Sequence, residues 1–186
     1  MKLALIVLII IFTKVFPQEM SVSLEIQYPL LLKIITFDKE FHNKFENKVV
    51  IGILYQENFR TSEEMKNELV NIIKERNYSV EGKKVEYVLL DISNNNDIYG
   101  IINNSNINII YVLTLKGVNV EDITRVTKKE KILTYAAMPQ YVQKGIAVGI
   151  DTKGGKPLIV INLKSAKQEG AEFTSQLLKL SEIITN

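Results

Sequence analysis

Between residues 49 and 144, four apolar runs are each followed by a helical pattern, and this rhythm constrains the fold more than any other feature. Val49 to Tyr55 (VVIGILY) is almost continuously apolar, as suits a strand covered on both faces. Gln56 to Arg60 reads as a loop. Thr61 and Glu64 then form a capping box, and Met65, Leu69, Ile72 and Ile73 carry a helix on to about Arg76. The second cycle is Val85 to Asp91 with a weak helix over Ser93 to Ile102. The third is Ile107 to Leu113 with a helix capped by Asn119 and carrying Val120, Ile123 and Val126. The fourth is Lys131 to Ala137 with a short helical turn over Met138 to Lys144. Four such cycles predict a mainly parallel sheet with right-handed crossovers.

The rhythm then changes. Ile146, Val148 and Ile150 make a strand, Gly154-Gly155 permits a tight reversal, and Leu158 to Leu163 returns antiparallel. Ala166, Gly170, Phe173, Leu177, Leu180 and Ile184 then alternate steps of four and three, which predicts one long C-terminal helix opening at Lys164 or Ser165. Gly170 would cost that helix about 1 kcal/mol relative to Ala, so the sequence predicts a close approach of its backbone to the sheet. The expected class is α/β: three layers, a mainly parallel sheet of about six strands, a C-terminal antiparallel hairpin and a long last helix. Upstream, Leu24, Tyr28, Leu31, Leu32 and Ile35 share one face of a leading helix over Ser21 to Phe37, in which Pro29 is awkward unless it marks the true start. The polar FDKEFHNKFENK after it reads as a helix end and linker.

Lys2, the apolar run Leu3 to Phe12 and the break at Lys14 and Pro17 read as an export signal over residues 1–18, leaving 19–186 as a single domain. The apolar run is short of the roughly 20 residues a membrane span needs. Losing Lys2 and Lys14 brings the basic side chains from 23 to parity with the 21 acids. A neutral mature surface gives no electrostatic footprint for nucleic acid. The chain has no Cys, which excludes thiol nucleophiles, thiolate metal sites and disulfides.

No residue set spells out a reaction. The sole histidine, His42, lies in the polar segment and reads as a surface residue. Glu63-Glu64 and Glu121-Asp122 sit in helix first turns, where acids complement the helix dipole. No glycine-rich phosphate cradle is present. No catalytic residues, metal ligands or cofactor are expected. One fold-level inference remains: open parallel sheets hold ligands outside the carboxyl ends of strands where strand order reverses. With order 2-1-3-4 and the hairpin beyond, that crevice lies between the first and third strands. Tyr55, Gln56, Asn58 and Arg60 would line it opposite Thr114 and Lys116, with Met138 and Gln140 nearby.

The closing pattern supports a more specific reading. Gly145-Ile146-Ala147-Val148-Gly149, then Ile161-Asn162-Leu163, then Ala166 and Gly170, then Ser175-Gln176-Leu177-Leu178-Lys179-Leu180-Ser181 resemble the end of the YfiR/HmsC family of small periplasmic proteins. LLLKIITFD at 30–38 and the strand VIGILY also look like that family. The chain departs from it in lacking Cys and the Trp-Pro near the first helix, so thiol-dependent regulation is not implied. The resemblance implies a non-enzymatic periplasmic regulator that binds and restrains an inner-membrane diguanylate cyclase or sensor protein and so affects cyclic di-GMP signalling and biofilm; a homodimer is a further possibility. It gives Asn162 the role of ending its strand and tying the next helix. The competing reading is a periplasmic small-ligand-binding module resembling one lobe of a solute-binding protein.

Overall fold

A computed structural model describes residues 20–94 and 97–185. The expected export signal, and Asn95 and Asn96 of the Asn-rich loop, lie outside the described residues.

The chain opens with α1 (Leu24–Ile34), a 3-10 turn (Ile35–Phe37) and α2 (Phe41–Lys44). It continues through β1 (Lys48–Tyr55), α3 (Arg60–Arg76), β2 (Ser79–Val80), β3 (Lys83–Asp91), α4 (Ile98–Asn103), β4 (Ile109–Val112) and α5 (Val120–Glu130). Next come β5 (Leu133–Ala136), α6 (Gln140–Gln143), β6 (Val148–Lys153) and β7 (Lys156–Asn162). It closes with α7 (Leu163–Gln168), α8 (Ser175–Lys179) and β8 (Ser181–Ile184). One mixed sheet runs β2-β3-β1-β4-β5-β6-β7-β8. The pairs β1·β3, β1·β4, β4·β5, β5·β6 and β7·β8 are parallel; the hairpins β2·β3 and β6·β7 are antiparallel. Right-handed crossovers place α3 on one face and α4 and α5 on the other. Accordingly α1 packs on α3, while α5 packs on α4 and α7.

The sheet thus has eight strands among the described residues, where about six were expected. One addition is β2, too short to show alternation, turned back onto β3 at Glu81-Gly82. The other is β8, which corrects the expected long helix. Gly170 ends α7 in the left-handed region at φ +82°. Ala171 N donates to Ala166 O at 2.8 Å and Gly170 N to Lys167 O at 3.0 Å, the paired bonds of a Schellman stop. Gly170 is therefore there for its φ, and a Cβ would meet only ordinary contacts at 3.6 Å and beyond. The supposed stripe is divided among three elements. Ala166, Phe173 and Leu177 are buried, Leu178 is partly buried, and Leu180 is 66% exposed.

Three smaller expectations are also corrected. Pro29 lies inside α1 rather than at its start, although the α1 face of Leu24, Tyr28, Leu31, Leu32 and Ile35 is buried as its spacing predicts. α3 begins at Arg60 after Phe59, so Thr61 is already helical and caps nothing; Glu64 pairs with Arg60 instead. The FDKEFHNKFENK segment is no linker. Phe41 and Phe45 are buried with rings 5.0 Å apart. The carboxylate of Asp38, also buried, accepts from Glu172 N at 2.8 Å and Glu40 N at 3.2 Å and pairs with Lys44 Nζ at 2.6 Å. Lys39 N to Glu172 O and Thr174 N to Phe37 O, both 2.9 Å, complete a clasp between the end of the first helical segment and the C-terminal segment.

Two buried polar nodes fix helices to opposite faces of the sheet. On the α1 face, the fully buried Gln27 donates through Nε2 to Val22 O at 2.6 Å and Ala137 O at 3.1 Å, and its Oε1 accepts from Tyr111 Oη at 2.9 Å. On the α5 face, Glu169 at the end of α7 is fully buried. Its carboxylate accepts from Thr127 Oγ1 at 2.7 Å, Thr134 N at 2.8 Å and Thr134 Oγ1 at 2.9 Å. Buried polar groups are tolerated when satisfied in this way, and a charge much less so.

Candidate functional site

Strand order reverses between β1 and β4: the chain leaves β1 for β3 on one side, then crosses back to β4 on the other. A cleft of about 410 Å³ opens there, outside the carboxyl ends of β1, β3 and β4. Gln56 forms its floor, with Ser93 from the β3 exit and Lys116, Asn119 and Asp122 from the loop and first turn of α5.

The cleft's polar groups are largely engaged with one another. Gln56 Nε2 donates to Lys116 O at 3.2 Å, and Lys116 N donates to Gln56 Oε1 at 2.7 Å. Gln56 N donates to Ser62 Oγ at 3.0 Å, which ties the β1 exit to α3. Asp91 Oδ1 accepts from Ser93 Oγ at 2.6 Å, Ser93 N at 2.9 Å and Glu57 N at 3.0 Å. Burial pushes the Asp91 carboxyl up, but the bonds from Ser93 and Glu57 and the nearby Lys66 outweigh it and hold the group below its usual range. Asn58 joins this knot through its N to Ser93 Oγ at 3.0 Å and its Nδ2 to Ser93 O at 3.2 Å. Asn119 caps α5, as its position predicts, by accepting from Glu121 N at 3.4 Å. Asp122 pairs with Arg125 at 2.6 Å.

Of the eight residues expected to line the crevice, Gln56 and Lys116 meet in it, and Asn58 borders it through Ser93. Tyr55 is buried and turns its ring toward Lys66 Nζ on α3, 5.2 Å from the centroid. Thr114 is buried beneath the loop. Arg60 is exposed and paired with Glu64 at 2.7 Å. Met138 is buried, and Gln140 belongs to a separate cleft of about 190 Å³ beside Asp151, Glu182 and Ile184. Sequence reasoning missed Ser93 and Asn119 as crevice residues, and Asp91 as the carboxylate that holds Ser93. The sequence D-x-S at a strand exit was the available signal, since a Ser two residues past an Asp can close a local side-chain-to-backbone turn.

The arrangement is a polar recess with a rigid floor. Ser93 has a carboxylate partner, but the sole histidine, His42, is exposed on α2. Its neighbours Asn43 and Lys44 line a cleft with Lys48, at the amino end of β1 and thus the opposite end of the sheet. Among the described residues, no group of three or more His, Asp or Glu is placed to hold a metal ion. Nor is any helix among them long and apolar enough to cross a membrane.

Comparison with known proteins places this geometry. A family model described as YfiR/HmsC-like matches residues 25–182. No curated protein is significantly similar to the chain. Among solved structures, a conserved domain protein from Vibrio cholerae is similar over 86% of this chain and 59% of its own, with a TM-score of 0.62 and 15% identity. An ABC domain from Streptococcus pneumoniae, solved in complex with L-Trp, is similar over 87% of this chain and 62% of its own, with a TM-score of 0.60 and 14% identity. The ligand-free, open form of a substrate-binding protein with adhesive properties from Clostridium difficile is similar over 88% of this chain and 60% of its own, with a TM-score of 0.61 and 17% identity. The chain spans about three fifths of the length of each, and at these identities the likeness is one of fold.

Proposed function

The chain belongs to the YfiR/HmsC-like family, and from that premise we propose that it is a non-enzymatic, exported regulator that binds and restrains an inner-membrane signalling protein such as a diguanylate cyclase. The family match over residues 25–182 carries this reading, because it takes in both the sheet and the closing segment. The crevice supports it: its Gln56, Asp91 and Ser93 side chains are committed to neighbouring loops, so the recess is suited to holding shape rather than to moving protons. Output would be a lowered level of cyclic di-GMP. The test is to measure that nucleotide in cells lacking the gene and in cells with it restored. A rise on deletion and a return on complementation are expected; an unchanged level in both would overturn the regulatory role.

A second reading rests on a separate observation, the 410 Å³ cleft at the strand-order reversal. Open α/β sheets bind ligands at that place, and two of the similar structures are described as bound to L-Trp or as substrate-binding. In this reading a small polar ligand enters over Gln56 and Lys116, with Ser93, Asn119 and Asp122 around it and Asn58 at its border. A thermal-shift screen against amino acids and other small metabolites tests it. A ligand that raises the melting temperature of the natural chain but not of Q56A supports it; equal shifts in both place the ligand elsewhere.

A further inference from the structure

Glu169 sits where three elements meet: the end of its own α7, the C-terminal half of α5 through Thr127, and β5 through Thr134. The hydroxyls around it can serve the carboxyl in either protonation state without moving a heavy atom. With the carboxylate ionised, Thr127 Oγ1 and Thr134 both donate to it. With it neutral, Oε1 can donate to Thr127 Oγ1, which in turn can donate to Thr124 O at 3.3 Å. Oε2 keeps its bond from Thr134 N, and Thr134 Oγ1 keeps Ala147 N at 2.8 Å. Only the neutral form engages Thr124 O through this hydroxyl, and only the neutral form avoids a charge in a fully buried site.

Few charges oppose that preference. From α5, Lys128 favours the ionised form. Lys131, at the end of α5, gives its Nζ to Gln168 O at 2.8 Å. β5 and β6 present Thr134 and Ala147, which carry no charge. Lys164 and Lys167 lie on α7 itself. Among the described residues none of these cations forms an ion pair with Glu169.

The chain beyond Glu169 leads straight into the C-terminal segment. Gly170 reverses the backbone, residues 172–174 form the clasp with Phe37, Asp38 and Lys39, and β8 then adds to the sheet through β7 alone. We infer that Glu169 and its threonines form a proton-operated latch: protonated, it holds the C-terminal segment 169–184 against the sheet, and ionised, it loosens that segment and uncovers the edge of β7.

Burial drives the carboxyl up to about 7, against the pull of the bonds from Thr127 and Thr134 and of Lys128. Because the folded value lies above the unfolded value of 4.5, the stability this group contributes is complete below the unfolded value. It is lost as pH rises through about 7. Hydrogen exchange of amides 163–184 between pH 5.5 and 8.5, corrected for intrinsic exchange, reads the latch directly. In the natural chain the opening constant is expected to rise roughly tenfold per pH unit from pH 5.5 up to about 7, and to level off above that. In E169Q, whose amide can donate to Thr127 and accept from Thr134, it should stay flat. The same pH profile in both chains would overturn the latch. A carbon-13 titration of the Glu169 carboxyl in the natural chain decides the matter independently of whether E169Q folds. A midpoint near 7 supports the latch; one in the ordinary carboxylate range overturns it.

Discussion

Gln56 and Asp38 show how single side chains can hold loops that have no regular structure of their own. Gln56 closes a two-bond ring with the backbone of Lys116, joining the exits of β1 and β4 across the crevice. Truncating it leaves a partly buried N–H and C=O of Lys116 short of partners. Q56A should therefore lose about 1–2 kcal/mol in urea denaturation. Asp38 is buried and serves two backbone donors and Lys44 at once. D38A should cost about 2–4 kcal/mol, more than a surface ion pair, because Glu172 N and Glu40 N lose their acceptor. A loss below about 0.5 kcal/mol on urea denaturation would show that the clasp contributes little. Sequence reasoning found Gln56 through the strand-exit rule but read Asp38 as part of a solvated linker. Polarity alone does not distinguish a solvated acid from one that accepts backbone bonds 134 residues away. Glu169 was hidden for the same reason: its partners, Thr127 and Thr134, come from other elements.

At the scale of elements, the C-terminal segment separates periodicity from structure. Spacing alone makes Leu177 and Leu180 members of one buried stripe, yet Leu177 is 1% exposed and Leu180 66%. L177A should cost about 2–4 kcal/mol, as other buried leucine truncations do. L180K should change stability by less than about 0.5 kcal/mol. Equal large losses in the two variants would restore the single long helix. The stop signal was legible: Gly170 lies in the left-handed region that ends helices. It was outweighed because residues on both sides of the stop happen to keep a three-and-four spacing. The parallel strands were easier to read. β1, β4 and β5 are apolar runs covered on both faces, and covered parallel strands carry that pattern without ambiguity. Gly52 illustrates the same layering at close range. A Cβ there would lie 2.7 Å from Leu90 Cδ1 and 2.9 Å from Ile107 Cδ1. G52A should cost about 1–3 kcal/mol through overpacking, measured by urea denaturation. A second substitution to Val at Leu90 should recover part of it.

For the molecule as a whole, strand order and function were legible to different depths. The order 2-1-3-4 with a hairpin beyond, supposed in locating the crevice, matches the central run β3-β1-β4-β5-β6-β7, and crossover handedness then sets which face each helix covers. The outer strands β2 and β8 escaped because a two-residue strand and a four-residue strand after a helix carry too little pattern. The family was legible through the wording of the closing segment, whereas a polar recess with saturated groups announces neither substrate nor partner. The proposed regulatory role turns on contact with a membrane signalling protein, and crosslinking in the native host with identification by mass spectrometry tests that contact most directly. Crosslinks are predicted from this chain to the exported portion of an inner-membrane diguanylate cyclase or sensor, absent when the partner gene is deleted. Efficient crosslinking of the folded chain that yields no such protein would contradict that role.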